Sequence, residues 1–228
     1  MEKLLEMRKH AAFFDFDGTL IRGDSQAMEM RHILRSGCRR HVNPFLIMRT
    51  VGTGILSYFD LVSQLYHNRT YIAIYRGMSE QDAVKTGNSI FHSQIRKKFN
   101  TRALELLEGH RDEGALIVIV SASPEHILGP VTAYIKPDYL VCTVLEKDSM
   151  KRFTGKPLGH ICIGEEKAER VQELAIKFNL DLSSSYAYSD HHADLPFLEA
   201  VGRPAAVNPT VKLEKIARER EWPVYRFR

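Results

Sequence analysis

The 228-residue sequence lacks most of the features that mark specialised protein classes. It has 3 cysteines (Cys38, Cys142 and Cys162), with no CxxC or other metal-type spacing. That excludes a disulfide scaffold and predicts structural thiols in a reducing cytoplasm. No apolar run reaches the roughly 20 residues a membrane-spanning helix needs. The most apolar stretch, "TVGTGILSYFDLVSQLY", is bracketed by Arg49 and His67 and interrupted by Asp60. It predicts a buried or partly exposed helix, with membrane-surface contact the lesser alternative. The opening "MEKLLEMRKHAAFFDF" lacks the long apolar core and cleavage site of a secretory leader. Internal repeats and low-complexity segments are absent. The net charge of +4 is spread along the chain. Its short basic cluster, "CRRHVNPFLIMR", reads as a solvated or substrate-facing surface, so no nucleic-acid partner is expected.

What is present is ordinary globular composition, 44% hydrophobic and 26% charged, enough for one large domain or a domain carrying an inserted smaller one. Within it, "FFDFDGTL" (13–20) is unusual. An apolar run of buried-strand type ends on Asp15 and Asp17, two residues apart. In a continued strand such residues point the same way, so two like charges would share one spot. A positive group or a retained proton is needed between them.

The surrounding pattern alternates strands and helices. "AAFFDF", "ALIVIVSAS", "DYLVCTVLE", "SSYAYSD" and "RPAAVNP" read as strands, and "PVYRF" as a sixth. Helices are expected over "TRALELLEGHRDEG", from Pro124 onward, over "EEKAERVQELAIKFNL" and over about 210–220. "EKDSMKRFTGKPLGHICIG" reads as a polar hairpin or flap. Residues 25–99 show helical spacing with turn signals at "SGC", "VNP", "VGTG", "RGMS" and "KTGN". The whole predicts an α/β fold, a Rossmann-like doubly wound parallel sheet with an inserted α-helical cap. The core would be 1–24 and 100–228, and the cap 25–99. Functional groups of such sheets gather at the carboxyl ends of the strands. "DFDGT", "SAS" and "SDHHAD" stand at three of those ends.

"DFDGTL", "VSAS", the lysine opening a helix in "GEEKAER", and "YSDHHADLP" resemble the four ordered motifs of the haloacid dehalogenase (HAD) superfamily. The insertion between the first two motifs resembles the cap of its phosphoserine-phosphatase-like branch, subfamily IB. "GKPLGHICIGEEK" and "YSDHHADLPFLEAVGRPAAVNP" are also similar to that branch. The resemblance implies a Mg2+-dependent phosphomonoester hydrolase acting through an aspartyl-phosphate. Asp15 would be the nucleophile and Asp17 the general acid and then base. Ser121, the backbone at Ala122 and Lys167 would bind phosphate. Asp15, Asp190 and the Asp17 carbonyl would hold the metal, with Asp194 orienting Lys167 or a metal water.

Plainer readings stand beside these. An Asp-x-Asp-Gly is commonly a turn, Ser121 a helix-start neighbour and Lys167 a solvated lysine with no acid three or four positions away. Asp194 suits an N-cap of "LPFLEA". His191 and His192 depart from the small residues common at that point in phosphoserine phosphatases. They read as transition-metal ligands or, by preference, as loop residues at the site entrance.

For substrate selection, Asp24 falls where the branch holds a substrate amine. Arg49, Arg69 and Arg76 are candidates for a carboxylate, or plain surface arginines. A phosphoserine-like amino-acid or amino-alcohol phosphate is favoured, with a lipid head-group phosphate or a phosphomutase reaction as alternatives. The intact Asp15 and Asp17 argue against a non-catalytic phosphate-binding module. The partner implied is a small phosphomonoester, and the oligomeric state is left open.

Overall fold

The computed structural model describes residues 9–35 and 43–227. Six strands form one sheet in the order β3-β2-β1-β6-β7-β8. They are β1 (Ala11–Phe14), β2 (Leu116–Pro124), β3 (Tyr139–Thr143), β6 (Tyr186–Ser189), β7 (Arg203–Val207) and β8 (Val224–Tyr225). All neighbouring pairs run parallel. β1 is central because both of its faces are apolar. Ala12 and Phe14 join the cluster formed with Ile117, Ile119 and helices α5 (Thr101–Asp112) and α6 (Glu125–Ile135). Ala11 and Phe13 join Leu116, Val118, Val120 and helix α7 (Glu165–Phe178) on the other face. The short α8 (Leu195–Glu199) and α9 (Val211–Glu219) complete that second layer. Each buried phenylalanine contributes about 1.5–3 kcal/mol.

Between β1 and β2 the chain forms α1 (Ser25–Arg35), α2 (Pro44–Tyr58), α3 (Gln64–Ile72) and α4 (Glu80–Ser93). Its departure and return run side by side. Arg22 N–H donates to Lys98 O at 2.8 Å and Asn100 N–H to Leu20 O at 2.9 Å. Helix starts are capped as their sequences suggest, by Asn43 ahead of Pro44, by Ser63 and by Ser79. A buried carboxylate, Glu29 on α1, accepts from the hydroxyls of Tyr71 and Tyr75 and lies 3.4 Å from His126 Nε2 on α6.

The sequence reading needs correction at four places. "VGTG" is not a turn, because Gly52 and Gly54 lie inside α2, and the apolar stretch around it is broken after Tyr58, where Asp60 takes φ 57°. "KTGN" lies inside α4, where Gly87 permits close helix packing; a Cβ there would sit 2.0 Å from His126 O. "DYLVCTVLE" divides into β3 and β4 (Leu145–Lys147), and β4 pairs antiparallel with β5 (Phe153–Pro157) in a separate hairpin. Pro124 stands at the N-cap of α6 rather than in its first turn. "SGC", with Cys38, lies outside the described residues. Among the described residues, no helix is long and apolar enough to cross a membrane.

Candidate active site

Register decides what meets at the sheet edge. Phe14 pairs with Ile119 on one side and Tyr188 on the other, so Asp15, Ser121 and Asp190 all emerge from adjacent carboxyl ends. Asp15 N–H extends the ladder by one bond, to Tyr188 O at 2.9 Å. The chain then turns at Gly18, with φ 74°. A Cβ on Gly18 would lie 2.0 Å from Asp190 Oδ2, so only glycine lets the two loops close together.

A cavity of about 540 Å³ opens here, lined by Asp15, Asp17, Ser121, Ala122, Lys167 and Asp190 among others. Lys167 is no solvated lysine, being 2% exposed. Its Nζ donates to Asp15 Oδ1 at 2.6 Å and to Asp194 Oδ2 at 2.6 Å. Asp194 occupies the N-cap position of α8 but makes no capping bond with its side chain. Instead it accepts from Lys167 and from Ser189 Oγ, the latter at 2.8 Å. It therefore holds the ammonium against Asp15.

Asp17 is gripped separately. Ser25 donates to it from its N–H at 2.6 Å and its hydroxyl at 3.0 Å, and Ser123 Oγ donates at 2.9 Å. Ser25 and Ser123 escaped the sequence reading. Ser123 was within the quoted "VSAS", and Ser25 at a helix start, but nothing local showed that both reach one carboxylate.

The electrostatics separate the two acids. Burial raises Asp15 to about 6, against the pull of Lys167. Burial, with Asp24 and Asp15 nearby, raises Asp17 to about 8. Asp17 thus keeps a proton at neutral pH while Asp15 is largely ionised. Asp190 is pushed well above the ordinary range, by burial first and then by Asp15 and Asp194. Burial alone would lower Lys167, yet Asp15 and Asp194 outweigh it and hold the ammonium charged. Asp15 and Asp194 thus bracket one buried lysine, and Asp17 and Asp190 line the same cavity as Asp15. An oxygen-only donor set, whose carboxyls are raised for want of a positive charge beside them, fits a hard divalent cation.

The specificity candidates fare unevenly. Asp24 lines the cavity while its Oδ1 accepts from Ala27 N–H at 2.7 Å at the start of α1. Arg49, Arg69 and Arg76 are exposed, and none lines that cavity. Arg76 Nε is turned to Thr154 O at 3.2 Å. The insertion instead presents Gln26, Gln64, His67 and Asn68, and the loop after β1 presents Arg22. Helical periodicity carries no signal for these polar choices.

His191 lines the cavity, and His192 stands beside it at its edge. Ligand atoms of Asp60, His191 and His192 lie within 4.8 Å of one another. Two of these groups already hold partners, while His192 Nδ1 is buried without one. Lys212 holds Asp60 at 2.9 Å, and His191 Nδ1 accepts from Ala193 N–H at 3.0 Å. Burial first, then His192, lowers His191 to about 4, keeping it neutral.

A family model for haloacid dehalogenase-like hydrolases matches residues 12–199. The chain belongs to that family. It is 33% identical over 228 residues to phosphoserine phosphatase SerB1 of Mycobacterium tuberculosis, covering 96% of this chain and 71% of that one. It is 28% identical over 227 residues to a histidinol-phosphatase of Neisseria meningitidis, covering 96% of this chain and 100% of the relative. A solved structure of a protein of unknown function from Bordetella pertussis superimposes with a TM-score of 0.84 at 26% identity, covering 96% and 99% of the two chains. The fold and the enzyme class thus agree with the resemblance carried by the four motifs.

Proposed function

We propose that the chain hydrolyses phosphate monoesters through an aspartyl-phosphate on Asp15, with residues 25–99 acting as a cap over the site. The observation that carries this reading is the different surroundings of the two buried aspartates. Asp15 is paired with the Lys167 ammonium at 2.6 Å, while Asp17 is held by the Ser25 N–H and the hydroxyls of Ser25 and Ser123, and burial raises Asp17 further than Asp15. A nucleophile must be ionised and a general acid protonated at the same pH.

A carboxylate oxygen of Asp15 attacks phosphorus as the bond from phosphorus to the alcohol oxygen breaks. Asp17 gives its proton to that oxygen, and the alcohol leaves. Water then attacks the phosphorus of the acyl phosphate and yields its proton to Asp17. The bond to Asp15 breaks and inorganic phosphate departs. Lys167 offsets charge on Asp15 and the phosphoryl group, and Ser121 with the backbone at Ala122 holds phosphoryl oxygens. Asp15, Asp190 and the Asp17 carbonyl would hold Mg2+, which screens the carboxylate from the phosphate dianion. The names of the relatives put phosphoserine and histidinol phosphate first among substrates to try.

The test is phosphate release from phosphoserine, histidinol phosphate and p-nitrophenyl phosphate, with Mg2+ or with a chelator, beside Asp15→Asn. Mg2+-dependent turnover is expected, falling by about 10⁴-fold or more in the variant with its melting temperature preserved. Substantial residual turnover in Asp15→Asn would overturn the nucleophile assignment.

A further inference from the structure

A second cavity, of about 650 Å³, opens inside the insertion. It shares Asp24, Gln26, Gln64 and His67 with the catalytic cavity, so the two adjoin. Beyond those shared residues its walls are mainly apolar: Met30 and Leu34 of α1, Val51 and Ile55 of α2, and Tyr58 and Phe59 at the end of α2. Of its lining residues, only Asp24 and Arg31 carry fixed charge. Several walls are open to solvent, with Ile55 57%, Tyr58 84% and Phe59 65% exposed. Scattered exposed apolar residues are ordinary on a soluble protein, but a contiguous concave set marks a binding surface.

We propose that this groove holds the apolar tail of the leaving alcohol, so that the substrates are phosphate monoesters of single-chain amphiphiles. The inference rests on the phosphatase reading of the neighbouring cavity and narrows its substrate. Adjacency to the catalytic cavity selects this occupant. A phosphate held among Asp15, Ser121 and Lys167 leaves its alcohol pointing at the shared polar ring of Gln26, Gln64 and His67. Any longer alcohol then continues between α1 and α2. Arg49, Arg69 and Arg76 stand outside the catalytic cavity, where Arg22 is the arginine on the wall, whereas the adjoining groove offers plentiful apolar wall. Each methylene buried along such a wall strengthens binding about two- to fourfold.

The experiment measures kcat/KM for n-alkyl phosphates from methyl to decyl, each below its critical micelle concentration, with p-nitrophenyl phosphate as a tail-free reference. Wild type, Ile55→Asp and Asp15→Asn are compared. The expected result is a rise of about twofold or more per methylene across part of the series, carried mainly by KM. In Ile55→Asp, whose side chain is exposed and tolerates charge, the ratio of decyl to methyl kcat/KM falls about tenfold or more. A flat series with p-nitrophenyl phosphate still hydrolysed overturns the tail groove and leaves the phosphatase reading standing. A rise confined to concentrations above the micelle threshold also overturns it, and makes the apolar surface one for bilayers. No hydrolysis of any phosphate, the reference included, overturns both readings.

Discussion

At the carboxyl ends of β1, β2 and β6, side chains are positioned by partners far away in sequence. Lys167 meets Asp15 across 152 positions, and Ser123 meets Asp17 across 106. In the segment between Ser25 and Ser93, by contrast, groove walls come from α1 and α2, and several of their apolar side chains there are exposed. The first region is rigid because burying a charge without a partner is expensive, so each carboxylate and the lysine are fixed together. The second is bounded mainly by apolar surface, which is directionless. On the proposed reading, chemistry is specified by the former and substrate fit by the latter.

The sharpest way to break this contrast is to remove one proton donor. Asp17→Asn is expected to reduce kcat on alkyl phosphates about 10²- to 10⁴-fold. Release of p-nitrophenol in the first turnover should fall far less, because that leaving group needs no proton, whereas the later base step slows for every substrate; equal first-turnover losses on both would remove Asp17 from the acid role. The pH profile gives the matching signature. Asp15 must be ionised and Asp17 protonated, so rates on alkyl phosphates rise and then fall with pH; burial puts the two limbs at about 6 and about 8 in the metal-free protein, and a bound cation would move the first lower. The sign for stability runs the other way. Both carboxyls bind protons in the folded state that the unfolded chain has released, so their contribution is full in acid. It is lost as pH rises through 6 and then 8. Melting curves of the chelator-treated protein across that range check this.

Lys167→Met should come next in size. It leaves Asp15 and Asp194 buried without their cation and is expected to destabilise the fold by about 3–5 kcal/mol, read by urea denaturation. A loss below about 1 kcal/mol would show that water reaches these carboxylates freely. The smallest effects belong to the exposed arginines of the insertion. Arg49→Ala and Arg69→Ala should change stability by within about 0.5 kcal/mol and leave kcat/KM for phosphoserine unchanged. A large rise in KM for phosphoserine in either would restore the carboxylate-recognition role.

Legibility in the sequence follows the same division. β1 and β2 were readable because strands buried on both faces are continuously apolar, and the two carboxylates could not be explained as core. Lys167 was found through motif order alone, since its partners are not helical neighbours. The glycines misled. Gly54 and Gly87 resemble turn formers, yet they are helical positions: Gly54 has the His67 ring close by, and Gly87 has the backbone of α6 against it. Close approach between elements, like the division of 139–147 between two sheets, is a tertiary fact with no local signature. For the same reason the arginine candidates missed the cavity. Helical spacing shows that they lie on a surface, and only packing shows which surface.

Ser25 is both the first residue of α1 and a donor to Asp17 through two of its atoms. Its N–H favours the ionised carboxylate and so draws Asp17 down from the higher value that burial would set. Displacing α1 would remove that bond together with part of the burial and the Asp24 charge that raise Asp17 more strongly. The first turn of the insertion is therefore part of the acid's environment, and its position and the acid's strength are linked.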